Sequence, residues 1–189
     1  MTARYFATFI AVVVLLVFGV VLLTGGDSKE ATTAQKAPIT LADYIDKNSE
    51  VTMTIDGKVS AEELHRVIRV KISPNQRVMD VIQGYNNTVL QNVTLTNSKA
   101  SYDTFMRSIA SSGFTRENKG AKQKDERGLC PLGQRFIFEL HENGEQKQRL
   151  WKTSCGSTGG TFAGNFSTVR TLFQRQIPDF DKQTAGVQL

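Results

Sequence analysis

The sequence predicts an α+β fold: a single N-terminal transmembrane helix followed by an antiparallel sheet of about six strands with two helices on one face. Three observations predict it. Residues 130–155 read CPLGQRFIFELHENGEQKQRLWKTSC, two strand-like runs around a polar turn with a cysteine at each open end. Residues 51–96 hold four short strand-like runs, and residues 98–112 then change to a helical period. Residues 6–24, FATFIAVVVLLVFGVVLLT, carry no charge.

The apolar run is long enough to span. Nineteen helical residues reach roughly 28 Å, close to the ~30 Å hydrocarbon core. A signal-peptide core is shorter and precedes a small-residue cleavage site. Here Thr24-Gly25-Gly26-Asp27 has no Ala-x-Ala pattern, and no cysteine follows to take a lipid. An uncleaved single-pass anchor is therefore favoured over a cleaved signal. Lys29 and Lys36 beyond the run offset Arg4 before it, so basic residues alone do not orient it. The five-residue head and the large following domain favour the N-terminus inside. The expected layout is a cytoplasmic head at 1–5, an anchor at 6–24, a flexible spacer at 25–39, an extracytoplasmic domain at 40–178 and a tail at 179–189.

After the polar spacer, Thr40 is placed to cap a short helix through Ile45, with Leu41, Tyr44 and Ile45 on its docking face. Val51, Met53 and Ile55 alternate as the first strand. Ile68, Val70 and Ile72 form the core face of the second. Residues 77–83 and the β-branched run 88–96, TVLQNVTLT, make the third and fourth. Short links between them predict an antiparallel meander. Tyr102, Phe105, Met106, Ile109 and Ala110 make a helical stripe that Gly113 ends, with Phe114 folding back. Residues 115–128 are charged in both signs and read as an exposed loop. After the hairpin, Asn165 caps a last helix whose stripe is Phe166, Val169, Leu172 and Phe173. Ile177-Pro178 stops it, and the rest reads as a loose tail.

Asn143-Gly144 is a strong hairpin signal, since both residues tolerate positive φ. A two-residue turn pairs residues whose numbers sum to 287, a three-residue turn 286. Either register brings Cys130 and Cys155 close enough for a disulfide, which needs an oxidising compartment. That agrees with a domain outside the cell membrane. Cys-x-x-Cys redox spacing is absent. A metal site needs three or four ligands, and only His65 and His141 accompany the cysteines, so no metal and no cofactor are expected. A nucleophilic cysteine with His141 as its base stays open at this stage.

The net charge of +5 is mild for 189 residues, and no basic stripe interleaves with aromatics, so nucleic acid is not an expected partner. The glycine-rich loop 156–165, GSTGGTFAGN, is the most suggestive stretch. Gly156, Ser157, Thr158, Gly159, Gly160 and Asn165 are the candidate contacts for a protein partner or an anion. The loop lacks both phosphate-binding glycine patterns and follows a hairpin rather than a parallel strand. A tight connection beside the disulfide explains it equally well. Asn86, Asn92 and Asn165 head glycosylation sequons.

Two function classes follow. The first is a non-catalytic, membrane-anchored binding or assembly module of the cell envelope with a protein partner. The second is an envelope hydrolase, or a hydrolase inhibitor, using the 156–165 loop. No acid/base or nucleophile spacing supports catalysis, so the chain leans away from an enzyme.

Overall fold

Runs rich in β-branched, aromatic and other apolar residues build six strands, and the turns between them set their order. In a computed structural model, residues 38–156 and 159–189 are described. They hold β1 (Ser49–Asp56), β2 (Arg66–Ile72), β3 (Gln76–Gln83), β4 (Thr88–Thr96), β5 (Arg135–Glu142) and β6 (Glu145–Thr153). All pair antiparallel in one sheet, in the order β4-β3-β2-β1-β5-β6. The expected meander is there. The hairpin docks on its first strand, not its last, so β1 lies between β2 and β5. One row across the sheet runs Met79, Val70, Met53, Phe138, Leu150, and every member is buried. Thr52 and Thr54 on the other face of β1 are buried as well.

Two helices add their stripes to the same core. In α1 (Lys99–Ser111), Tyr102, Phe105, Met106 and Ile109 are buried, and in α2 (Phe166–Gln174) Val169 and Phe173. Phe105 and Phe173 meet edge to face at 5.2 Å, a geometry rings favour. Ser98 caps α1 through its side chain, and Asn165 caps α2. Gly113, at φ +77°, ends α1. Its N–H donates to the Ala110 carbonyl, and the Phe114 N–H to that of Ile109. This pair of hydrogen bonds returns buried Phe114 onto the last turn.

Three local expectations are corrected. The segment after Thr40 is a single 3-10 turn, Leu41–Tyr44, and the Thr40 side chain does not cap it. Residues 179–189 are not loose. Asp179 leads into α3 (Phe180–Gln183), Phe180 is buried, and Val187 and Leu189 pack on the core. Nor is 115–128 wholly exposed. Ala121 and Glu126 are buried, and Glu126 is ion-paired to Arg149 of β6.

The hairpin turn is type I′ in form, with Asn143 at φ 52° and Gly144 at φ 81°. Glu142 faces Glu145 as a two-residue turn demands. An extra residue at Lys147 then shifts the register, so Leu140 faces Gln148 and Arg135 faces Thr153. Neither uniform register holds along the hairpin. A turn in which the Gly133 N–H donates to the Cys130 carbonyl takes up the slip. Cys130 and Cys155 are disulfide-bonded there, with Cα atoms 5.7 Å apart.

The anchor at 6–24, most of the spacer, and the loop residues Ser157 and Thr158 lie outside the described residues. Among those described, no helix is long and apolar enough to cross a membrane.

Candidate docking surface

In a meander, the β1–β2 and β3–β4 links fall at the same end of the sheet, and β5 begins there too. Residues 57–65, 84–87 and 130–134 therefore converge. Hydrogen bonds tie them together. The Tyr85 hydroxyl donates to the Ser60 carbonyl at 2.9 Å, and the Glu62 carboxylate accepts from the Tyr85 N–H at 3.1 Å. The Val59 N–H donates to the Pro131 carbonyl at 2.7 Å.

A buried polar cluster anchors this end from below. Asp56 closes β1 with Oδ1 3.0 Å from His65 Nε2 and Oδ2 2.9 Å from Arg135 Nε. Arg135 also donates to the Gly57 carbonyl at 2.6 Å. His65 is 2% exposed. Its Nδ1 lies 3.0 Å from the Lys58 carbonyl, which can only accept, so Nδ1 donates. The ring stacks on Tyr85 at 4.2 Å. Arg135 thus ties the end of β1 to the link that follows it, and His65 ties back to Lys58 within that link.

Large hydrophobics stand exposed at this end, among exposed Lys58, Glu63, Asn86 and Asn87. Val59, Leu64, Tyr85, Val89, Leu90 and Leu132 are 50–88% exposed. They are the large hydrophobics most open to solvent among the described residues, and all lie at or next to this end. Scattered single hydrophobics need no explanation, whereas a gathering of them marks a contact surface.

β4 leads away from the same end as an open edge. Among the described residues no strand pairs with its outer side. Its nine residues carry no charge. Leu90 is an extra residue between the pairs Ile82–Val89 and Val81–Gln91. The opposite edge is covered at Trp151. The Phe162 N–H donates to the Trp151 carbonyl, and the Trp151 N–H to Thr161 Oγ1, both at 3.0 Å. Phe162 also bridges to Glu117.

The residues singled out in the glycine-rich loop are spread by this arrangement. Gly156 and Gly159 are exposed, while Gly160 is buried under β6. A Cβ on Gly160 would sit on the Trp151 carbonyl. Asn165 spends its side-chain oxygen on the Thr168 N–H, 3.2 Å away. His141 is at the far end of β5, beside the hairpin turn. Six strand residues separate it from the pairing of Arg135 with Thr153, or about 20 Å at the usual rise. His141 therefore reaches neither Ser154 nor the cysteine pair, and the cysteine–histidine arrangement left open by the sequence is not formed. Near His141 the Ser73 hydroxyl is tied into its own turn with Gln76. No group of three or more His, Cys, Asp or Glu among the described residues is placed to hold a metal ion.

Sequence reasoning missed the apolar end. The signal was there in Leu64, Tyr85 and Leu132, large apolar residues sitting in links where no strand or helix period accounts for them. A comparison with protein-family models finds no match, and a search of curated proteins finds no significant relative.

Proposed function

We propose that the chain is a non-catalytic docking or assembly module of the cell envelope. Residues 6–24 anchor it as a single membrane pass with the N-terminus inside, and the sheet domain stands outside. Its apolar end engages a protein partner. The observation that carries this reading is the convergence of Val59, Leu64, Tyr85, Leu90 and Leu132 at one end, held in place by the Asp56–His65–Arg135 cluster. The chain enters β1 at the opposite end of the sheet, through Ser49. The disulfide in the same region is consistent with an oxidising compartment.

The test is photo-crosslinking of the full chain in its native membrane. A photoreactive residue at Leu64 or Leu132 is expected to give discrete protein adducts, and one at Thr171 on the exposed side of α2 is not. Equal labelling from both positions, or none from the apolar end, would overturn the reading.

A further inference from the structure

We infer that β4 pairs antiparallel with β4 of a second copy of this chain, joining two six-stranded sheets into one continuous sheet. This rests on the docking reading and names one of its partners. Natural edge strands are blunted by lysine, proline, inward charges or a covering segment. β4 has no lysine, no proline and no charge along its length, in a chain that is 22% charged. Two such strands meet without like-charge repulsion, whereas a strand selected by charge would find nothing to read. Five of its nine residues (Thr88, Val89, Val93, Thr94 and Thr96) are β-branched, the type that pairs best across strands.

The side-chain faces agree with self-pairing. Gln91, Val93 and Leu95 lie opposite Val81, Met79 and Arg77, on the core face of β3. Asn92 and Thr94 lie on the other face, opposite Asp80 and Val78. The bulge at Leu90 puts Val89 on that second face as well, opposite Ile82. A twofold axis at Asn92 then sets Asn92 against Asn92, Gln91 against Val93, Val89 against Thr94 and Thr88 against Leu95. Every pair joins residues of one face, as antiparallel pairing requires. Val89, half exposed in a single chain, gains a neighbour. Among the described residues, Thr161 and Phe162 meet β6 at Trp151, whereas no strand pairs with the outer side of β4, and the proposed contact uses that same edge in both copies. The contact is therefore isologous and closes at two copies.

The test is oxidative crosslinking of the full-length Asn92→Cys variant in its native membrane. Opposed residues on antiparallel strands have Cα atoms about 4.5–5.5 Å apart, within disulfide range. A covalent dimer is expected on a non-reducing gel, and mass spectrometry is expected to find two copies of the β4 peptide joined through the introduced thiols. Thr171→Cys is expected to stay monomeric. Thr94→Lys added to Asn92→Cys is expected to cut the dimer at least tenfold, with the Cys130–Cys155 bond still closed as the sign of folding. A monomer from Asn92→Cys with that bond closed overturns self-pairing, and so does a dimer indifferent to Thr94→Lys. A crosslink only to a chain of different mass overturns the second copy while leaving the docking reading standing. Silence at Asn92, Leu64 and Leu132 together ends both.

Discussion

Glu126 and Arg149 meet through two parallel hydrogen bonds, of 2.8 and 2.5 Å, on the face of the sheet away from the helices. The pair fastens the long segment 115–134 to β6. Burial alone would raise the Glu126 carboxyl, but the Arg149 guanidinium outweighs it and holds the group below the usual glutamate range. A lowered carboxyl stabilises the fold above its unfolded pKa, and that stability is lost as pH falls through the native value. Glu126→Gln is expected to cost about 1 kcal/mol at neutral pH, since it leaves the part-buried Arg149 guanidinium with only its longer contact to Glu139, at 3.5 Å. In urea melts, the gap between variant and parent is expected to close as pH falls below the carboxylate range. A gap that persists in acid would remove the ion pair as its cause.

Tyr102 gives the alkaline counterpart. Its ring is buried in α1, and its hydroxyl lies 2.7 Å from Ser49 Oγ and donates to the Ser49 carbonyl at 3.0 Å. Burial pushes its pKa up to about 12. The contribution is complete below the ordinary tyrosine pKa and is lost as pH rises through about 12. Tyr102→Phe is expected to cost about 1 kcal/mol at neutral pH by removing the hydroxyl's bonds. Thermal melts above pH 10 are expected to fall less steeply for the variant than for the parent.

The disulfide closes residues 130–155. Replacing both Cys130 and Cys155 by alanine is expected to cost about 3 kcal/mol, mainly by freeing the unfolded chain. Equilibrium denaturation of the double variant against the oxidised parent measures it. Because the hairpin ladder between Arg135 and Thr153 does not include the cysteines, amide exchange within β5 and β6 is expected to stay protected in the folded variant.

Gly160→Ala tests the covered edge. Its Cβ would collide with the Trp151 backbone carbonyl, which has no flexible end to move aside. The expected outcome is release of residues 160–162 from β6 and a loss of roughly 2 kcal/mol or more. With both edges open, light scattering is expected to report species larger than two copies.

At the apolar end the opposite pattern is expected. Leu132→Asp and Leu64→Asp remove side chains that are already exposed, so stability is expected to move by no more than about 0.5 kcal/mol. Photo-adducts from neighbouring positions are expected to fall severalfold. A large drop in melting temperature would mean that these residues pack rather than dock.

What was legible in the sequence was local. Alternation over Val51–Ile55, the β-branched run Thr88–Thr96, the Tyr102–Ala110 stripe and the Asn143-Gly144 turn each depend on neighbours in the chain, and each element is in place. Two properties set by distant partners were hidden. Which strand the hairpin joins is decided by how α1 returns the chain across the core, and no residue in β5 announces β1. The burial of Glu126 depends on Arg149, 23 residues later, so its charge reads as solvent-facing in the loop. The bulge at Lys147 is invisible for a similar reason. It answers to the twist of the ladder, and both turn lengths considered from sequence assumed a straight one. Phe180 falls in the run that reads as a loose tail, yet a chain that stops one helix can bury its next aromatic on the same core.

The place of β1 has a consequence for how the chain is made. Val51 faces Leu140, and Met53 faces Phe138. Synthesis delivers the chain N-terminus first at about 5–20 residues per second. The four-strand meander is complete in sequence by Thr96, while the hairpin follows only after α1 and the long segment behind it. For several seconds the nascent domain has β1 as a rim, with buried-type side chains on both faces and one side of its backbone unmatched. The hairpin, with its own tight turn and its own crosslink, is the last large piece to arrive and the one that turns that rim into the middle.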